Sequence, residues 1–141
     1  MAVESLRADV DVLLSADLTS LSSTEVAGLV ADLESQRRRL EAVDQRLLAE
    51  VTDRGLAGDY GASSGPDLLV QLLRVSRREA KARMRRAAEV GPRRGLTGEP
   101  LAPIFPTVAA AVAEGTISAE HADVIIKAVE CDPAAPATRL R

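Results

Sequence analysis

Few residue types in this chain can do chemistry. There is one histidine, His121, one cysteine, Cys131, and an arginine-rich block from Arg74 to Gly95. A Cys/His pair can act as nucleophile and base when the two side chains meet. Here they stand ten residues apart on one helical segment, with no glycine-bearing oxyanion motif beside them. A zinc or nuclease-type metal site needs several His, Cys or carboxylate ligands converging, and one histidine with one cysteine does not supply them. No Walker loop or dinucleotide fingerprint is present. The sequence therefore predicts no catalytic residue, no metal ligand, no cofactor and no small-molecule substrate. It predicts that His121, third after Ser118, helps to close a helix start.

The arginine block, RVSRREAKARMRRAAEVGPRRG, carries nine positive and two negative charges, a balance of +7 in a chain whose net charge is −3. Residues 1–60 hold twelve acidic and six basic groups, so the basic charge is segregated. Such a block suits a phosphate backbone, whose neutralisation by Lys and Arg releases counterions. The candidate nucleic-acid-binding residues are Arg77, Arg78, Lys81, Arg85, Arg86, Arg93 and Arg94. The expected partner is double-stranded DNA.

Helices must position these side chains. Val3, Leu6, Val10, Leu13 and Leu14 recur at helical spacing in an N-terminal helix with its connector over residues 1–21. Ser22 and Glu25 form a capping box that opens a long helix ending near Arg54, with Gly55 suited to a left-handed stop. Along it Val26, Leu33, Leu40 and Leu47 share one heptad position. That pattern is read first as the backbone of a helical bundle, with a dimerising coiled coil as the alternative. In the second case the chain self-associates through the long helix, as a protein-interaction or oligomerisation module.

A glycine-rich loop around Tyr60 follows, and Tyr60 is expected to anchor it on the core rather than stack on a base. Pro66 then starts a helix with Leu68, Leu69, Leu72 and Leu73 on its apolar face. After Arg74-Val75, Ser76 and Glu79 form a second capping box and open a helix to about Val90. Residues 66–90 thus have the helix-turn-helix pattern. Ala80, Met84, Ala87 and Ala88 form the apolar stripe of the second helix, with Arg78, Lys81 and Arg85 on a neighbouring sector. In a DNA-binding pair this helix would enter the major groove.

GPRRGLTGEPLAPIF reads as a loop. A short helix over about Pro106 to Glu114 ends at Gly115, and Ser118 caps a last one with Ala122, Val124, Ile125, Ala128 and Val129 inward. Residues 131–141 read as a tail. The apolar residues are almost all Ala, Leu and Val, with one Phe, one Tyr and no Trp, which favours packed helices over strands. The fold class is all-α: a helical bundle with one long N-terminal helix and a helix-turn-helix-like pair. No apolar run reaches the ~20 residues that span a bilayer. No signal peptide is evident. A cytoplasmic protein without a membrane partner is expected.

The segment from LLAEVTDRGLAGDYG to RREAKARMRRAAEV, followed by PIFPTVAAAVAEGTISAEHADVIIKAV, resembles the actinobacterial 13E12 repeat family, also called domain of unknown function 222. The family's "L-S-x-x-E-A-x-x-R" corresponds to Val75, Ser76, Glu79, Ala80 and Arg83. Its "A-x-x-x-G-x-[IL]-S-x-x-H-A" corresponds to Ala111, Gly115, Ile117, Ser118, His121 and Ala122. The resemblance covers roughly residues 22–130. Pro66-Asp67 stand where the family usually has an aromatic residue. Members commonly continue into an HNH endonuclease domain, so the resemblance implies a non-catalytic helical domain in a DNA context, without the nuclease.

Overall fold

The computed structural model describes residues 1–131; most of the tail expected at residues 131–141 lies outside them. Among the described residues the chain is all-α, with seven helices and a minute hairpin. The helices are α1 (Ala2–Ser15), α2 (Ser23–Asp53), α3 (Leu56–Asp59), α4 (Gly65–Leu73), α5 (Arg77–Val90), α6 (Pro106–Glu114) and α7 (Ala119–Cys131). β1 (Arg93–Arg94) pairs antiparallel with β2 (Pro100–Leu101), inside the segment expected to be a loop. The chain divides into two compact units, Met1–Leu33 and Glu34–Arg141.

Local chemistry sets the helix ends. The Ser22 N–H donates to Glu25 at 2.8 Å while the Glu25 N–H donates to the Ser22 hydroxyl at 3.3 Å, the reciprocal box expected at the start of α2. Gly55 follows α2 with φ +64°, the left-handed conformation that a residue without Cβ adopts most cheaply. At α4 the cap is Ser64, which accepts from the Asp67 N–H, with Pro66 in the first turn. The link from α4 to α5 is made by Arg74 at φ +54°, whose N–H reaches the Val70 carbonyl.

The core lies in Glu34–Arg141 and has two parts. Leu48 of α2, Leu69 of α4 and Ala80 and Ala87 of α5 form one, with Val51, Val70, Val75 and Met84 around them. Val90, Val108, Val112, Ala122 and Ile126 form the other, with Ala42, Phe105, Ala109 and Ile117 against them. The small residues of α5 let its neighbours approach closely, and that face is the expected stripe with one correction. Ala88 is exposed, and Val90 is buried instead.

Other inward assignments are also corrected. Leu68 and Leu69 are buried, but Leu72 and Leu73 face solvent because α4 is covered on one side only. In α7 the buried residues are Ala119, Ala122 and Ile126, whereas Val124, Ile125, Ala128 and Val129 are exposed. Tyr60 is 62% exposed and anchors nothing; the glycine-rich loop instead tightens into the single turn of α3.

Met1–Leu33 differs in kind. None of its residues is buried, and only Leu21 is even half-buried. Val3, Leu6, Val10, Leu13 and Leu14 of α1, with Val26, Leu29, Val30 and Leu33 of α2, are all exposed.

Candidate functional site

The candidate basic helix begins at Ser76, whose hydroxyl accepts the Glu79 N–H at 3.1 Å. The expected capping box is only half made. The Glu79 carboxylate turns instead to Arg83, at 2.9 Å, and to Arg86, at 3.7 Å. The Arg83 guanidinium is the main reason Glu79 ionises below the usual range.

The seven candidate cations separate into two groups. Four lie within ion-pair distance of carboxylates. Arg77 meets Asp67 at 2.9 Å, and Asp67 is held below the usual carboxylate range first by the hydroxyls of Ser63 and Ser64 and then by the charges of Arg77 and Lys81. Arg85 lies 3.2 Å from Asp123 and 3.8 Å from Glu89. Arg86 donates to Asp123 at 3.1 Å and is only 12% exposed. Arg94, on the hairpin, reaches Glu50 of α2 at 2.8 Å and Asp53 at 3.4 Å, which draws Glu50 down and Arg94 up. Among the described residues, Arg78, Lys81 and Arg93 have no carboxylate within 4.0 Å, and neither does the neighbouring Arg74.

This pairing changes what the block can do. Arg77 and Arg85 are themselves exposed, but Asp67, Glu89 and Asp123 are largely enclosed, so exchanging the carboxylate for a phosphate leaves a partly buried charge behind and carries a cost. Arg86 is a structural cation, enclosed by α5 and α7. Behind it Glu89 is pushed above the ordinary carboxylate range, chiefly by burial, and one oxygen each of Glu89 and Asp123 is buried without a hydrogen-bond partner. Asp123 is nonetheless 3.2 Å from Arg85; that contact is an electrostatic one outside hydrogen-bond geometry.

The remaining chemistry-bearing residues sit apart. The His121 N–H donates to the Ser118 hydroxyl at 3.2 Å, and Nδ1 lies 3.1 Å from the same oxygen, so His121 helps to close α7 as expected. The Ala119 N–H is taken by Glu41 of α2 at 2.8 Å, so carboxylate and serine together occupy this helix start. Cys131 is exposed at the other end of α7. Among the described residues no group of three or more His, Cys, Asp or Glu is arranged to hold a metal ion, and no helix is long and apolar enough to cross a membrane.

A second feature escaped the charge pattern. Between the C-terminal half of α2 and the hairpin lies an open cavity of about 450 Å³. Val43, Leu47, Pro92 and Pro100 supply its apolar surface, Arg46, Arg93 and the paired Arg94 its cations, and Glu50 and Asp53 its carboxylates. No local motif marks it, because the hairpin that forms one wall is only two residues wide.

Paired arginines, an exposed apolar N-terminal unit and an open groove describe a helical domain built around surfaces. The family described as "Domain of unknown function (DUF222)" matches residues 27–141, and the chain belongs to that family. An uncharacterized protein of Mycobacterium tuberculosis (strain CDC 1551 / Oshkosh) is 34% identical over 124 residues, covering 88% of this chain and 29% of the relative. Another, from strain ATCC 25618 / H37Rv, is 34% identical over 126 residues, covering 86% of this chain and 54% of its own length. An uncharacterized protein of Mycobacterium bovis (strain ATCC BAA-935 / AF2122/97) is 34% identical over 122 residues, with the same coverage of 86% and 54%. The chain thus spans from 29% to 54% of the length of these curated relatives. No solved structure matches it.

Proposed function

We propose that the chain is a non-catalytic helical association module that joins copies of itself through the apolar faces of Met1–Leu33. One observation carries this reading: a unit with ten large apolar side chains on α1 and early α2 has no buried residue. A 14-residue helix with no buried residue is marginal in water on its own, because nucleation is costly and propagation barely favourable. Its stability must come from an apolar contact. In α1, Val3, Leu6, Val10 and Leu13 recur at the three-four-three spacing of a helix–helix seam.

Light scattering over a concentration series tests the reading. A mass above the 14.9 kDa of one chain is expected, falling to one chain in Leu13→Glu and Leu33→Glu. Both side chains are exposed in the single chain, 53% and 51%, so neither change should disturb its fold. A mass of one chain at every concentration would overturn it.

Arg74, Arg78 and Lys81 favour a second reading. They are exposed around the α4–α5 turn and carry no ion pair among the described residues. In that reading the helix-turn-helix-like pair meets duplex DNA, as an accessory domain in the nuclease architecture that the family resemblance implies. Three phosphate contacts give a slope of about −3 in log affinity against log salt. Arg78→Ala with Lys81→Ala should bring it to about −1. Absence of binding at low salt removes this reading.

A further inference from the structure

The cavity between α2 and the β1–β2 hairpin is open, partly apolar and cationic, and nothing so far uses it. Val43 and Leu47 are exposed on α2 beside it, 49% and 61%, and Leu96 at the hairpin tip is fully exposed. Its cations are unequal. Arg94 is taken up by Glu50 and Asp53, whereas Arg46 and Arg93 have no carboxylate within 4.0 Å among the described residues. An apolar floor rimmed by two uncommitted arginines fits an amphipathic helix of net negative charge, as α1 is with Glu4, Asp9 and Asp11 against Arg7.

The chain contains such a helix. Met1–Leu33 holds six acidic residues and one basic, a charge of −5. On α1, Asp9 flanks the seam residue Val10 on one side and Arg7 flanks Leu6 on the other, in the positions from which charges select a helix partner. Two N-terminal units meeting face to face would bring two charges of −5 together, and like-charge juxtaposition costs several kcal/mol across an interface. The acidic helix and the groove, whose Arg46, Arg93 and Arg94 outnumber Glu50 and Asp53 by one, are opposite in sign, whereas the acidic helix and its own copy are alike.

We infer that the groove lined by Val43, Leu47, Pro100, Arg46 and Arg93 docks α1 of a second copy, and that two chains exchange this contact reciprocally. This rests on the association reading of Met1–Leu33 and names the surface that receives it. Leu6, Val10 and Leu13 enter the apolar floor, and Asp9 faces Arg46 and Arg93. Each chain contributes one helix and one groove, so the pair closes under two-fold symmetry without leaving a free end to extend a filament.

Two variants and their mixture test it. Val10→Glu damages the helix and Leu47→Glu the groove; both side chains are exposed in the single chain. Each variant alone should sediment as one chain, with self-association at least 100-fold weaker. An equimolar mixture should regain a dimer, because one variant's intact helix still meets the other's intact groove. Arg46→Glu should weaken association as Leu47→Glu does, and Asp9→Lys in the same chain should restore it. If Val10→Glu dissociates the dimer while Leu47→Glu and Arg46→Glu leave it intact, the groove is not the docking surface and the association reading survives. If the mixture stays monomeric, the contact is between like surfaces and the inference falls. If none of the variants changes the mass, the association reading falls with it.

Discussion

Arg86→Ala is expected to lower the stability of the chain by about 2–3 kcal/mol, while Arg78→Ala changes it by less than about 0.5 kcal/mol. Both arginines belong to α5 and to the same run of positive charge. Their surroundings differ. Arg86 is 12% exposed and donates to Asp123 at 3.1 Å, with Glu79 at 3.7 Å. Arg78 is exposed and unpaired among the described residues. Breaking an enclosed pair costs more than the pair contributed, and the partial exposure of Asp123, with Arg85 still 3.2 Å from it, keeps the loss below that of a fully buried, unpartnered charge.

The loss should also depend on pH in a definite direction. Arg86 is one of two guanidinium groups that restrain the upward displacement of Glu89, whose main cause is burial. A carboxyl raised in the folded state contributes its full stability below its ordinary pKa and loses it as pH rises through the folded value. Without Arg86 that displacement grows, so the deficit is largest at neutral pH and shrinks as pH falls toward 4 and Glu89 protonates. Urea unfolding of both variants at the two pH values gives the answer. A neutral Arg86→Ala would return Arg86 to the free cations and strengthen the DNA reading.

The contrast between these arginines shows what could be read from the sequence. Charge counting along the chain finds the block because its members are neighbours. It does not find the carboxylates that neutralise the block, because Asp123 is 37 residues from Arg86 and Glu50 is 44 from Arg94. The helix ends were legible for the opposite reason. Ser22 with Glu25, Ser76, Gly115 and Ser118 act within a few residues of themselves. Helix faces fall between these cases. Periodicity marks an apolar stripe wider than the strip a neighbour covers, so Leu72, Leu73, Val124 and Ile125 lie on the stripe yet stand outward, while Ile126 beside them is buried. Two-residue strands hold no period at all, which is why the hairpin and the groove behind it were invisible.

Gly115→Val should cost about 3–4 kcal/mol, a large share of the 5–15 kcal/mol that stabilises a typical domain. Two independent effects add at this residue. Its φ of +79° lies in the left-handed region, where a Cβ costs roughly 1–2 kcal/mol and a branched side chain more. A Cβ there would also lie 2.6 Å from the Ser35 carbonyl oxygen, 2.7 Å from its hydroxyl and 3.1 Å from Cγ of Arg39, so α6 and α2 would have to separate. Forcing atoms into a packed contact costs typically 1–3 kcal/mol. Gly55 isolates the first effect, since its φ is +64° and a Cβ there meets nothing within 4 Å. Gly55→Ala should therefore cost about 1 kcal/mol and Gly115→Ala about twice that. Unfolding midpoints of the three variants measure both effects. Equal losses for the two alanine variants would mean that α2 yields at Ser35, and that Gly115 is required for its turn alone. Unequal losses would give the A-x-x-x-G-x-I-S segment two physical reasons for its glycine: a left-handed end to α6 before Ser118 caps α7, and a backbone approach to α2 too close for any side chain.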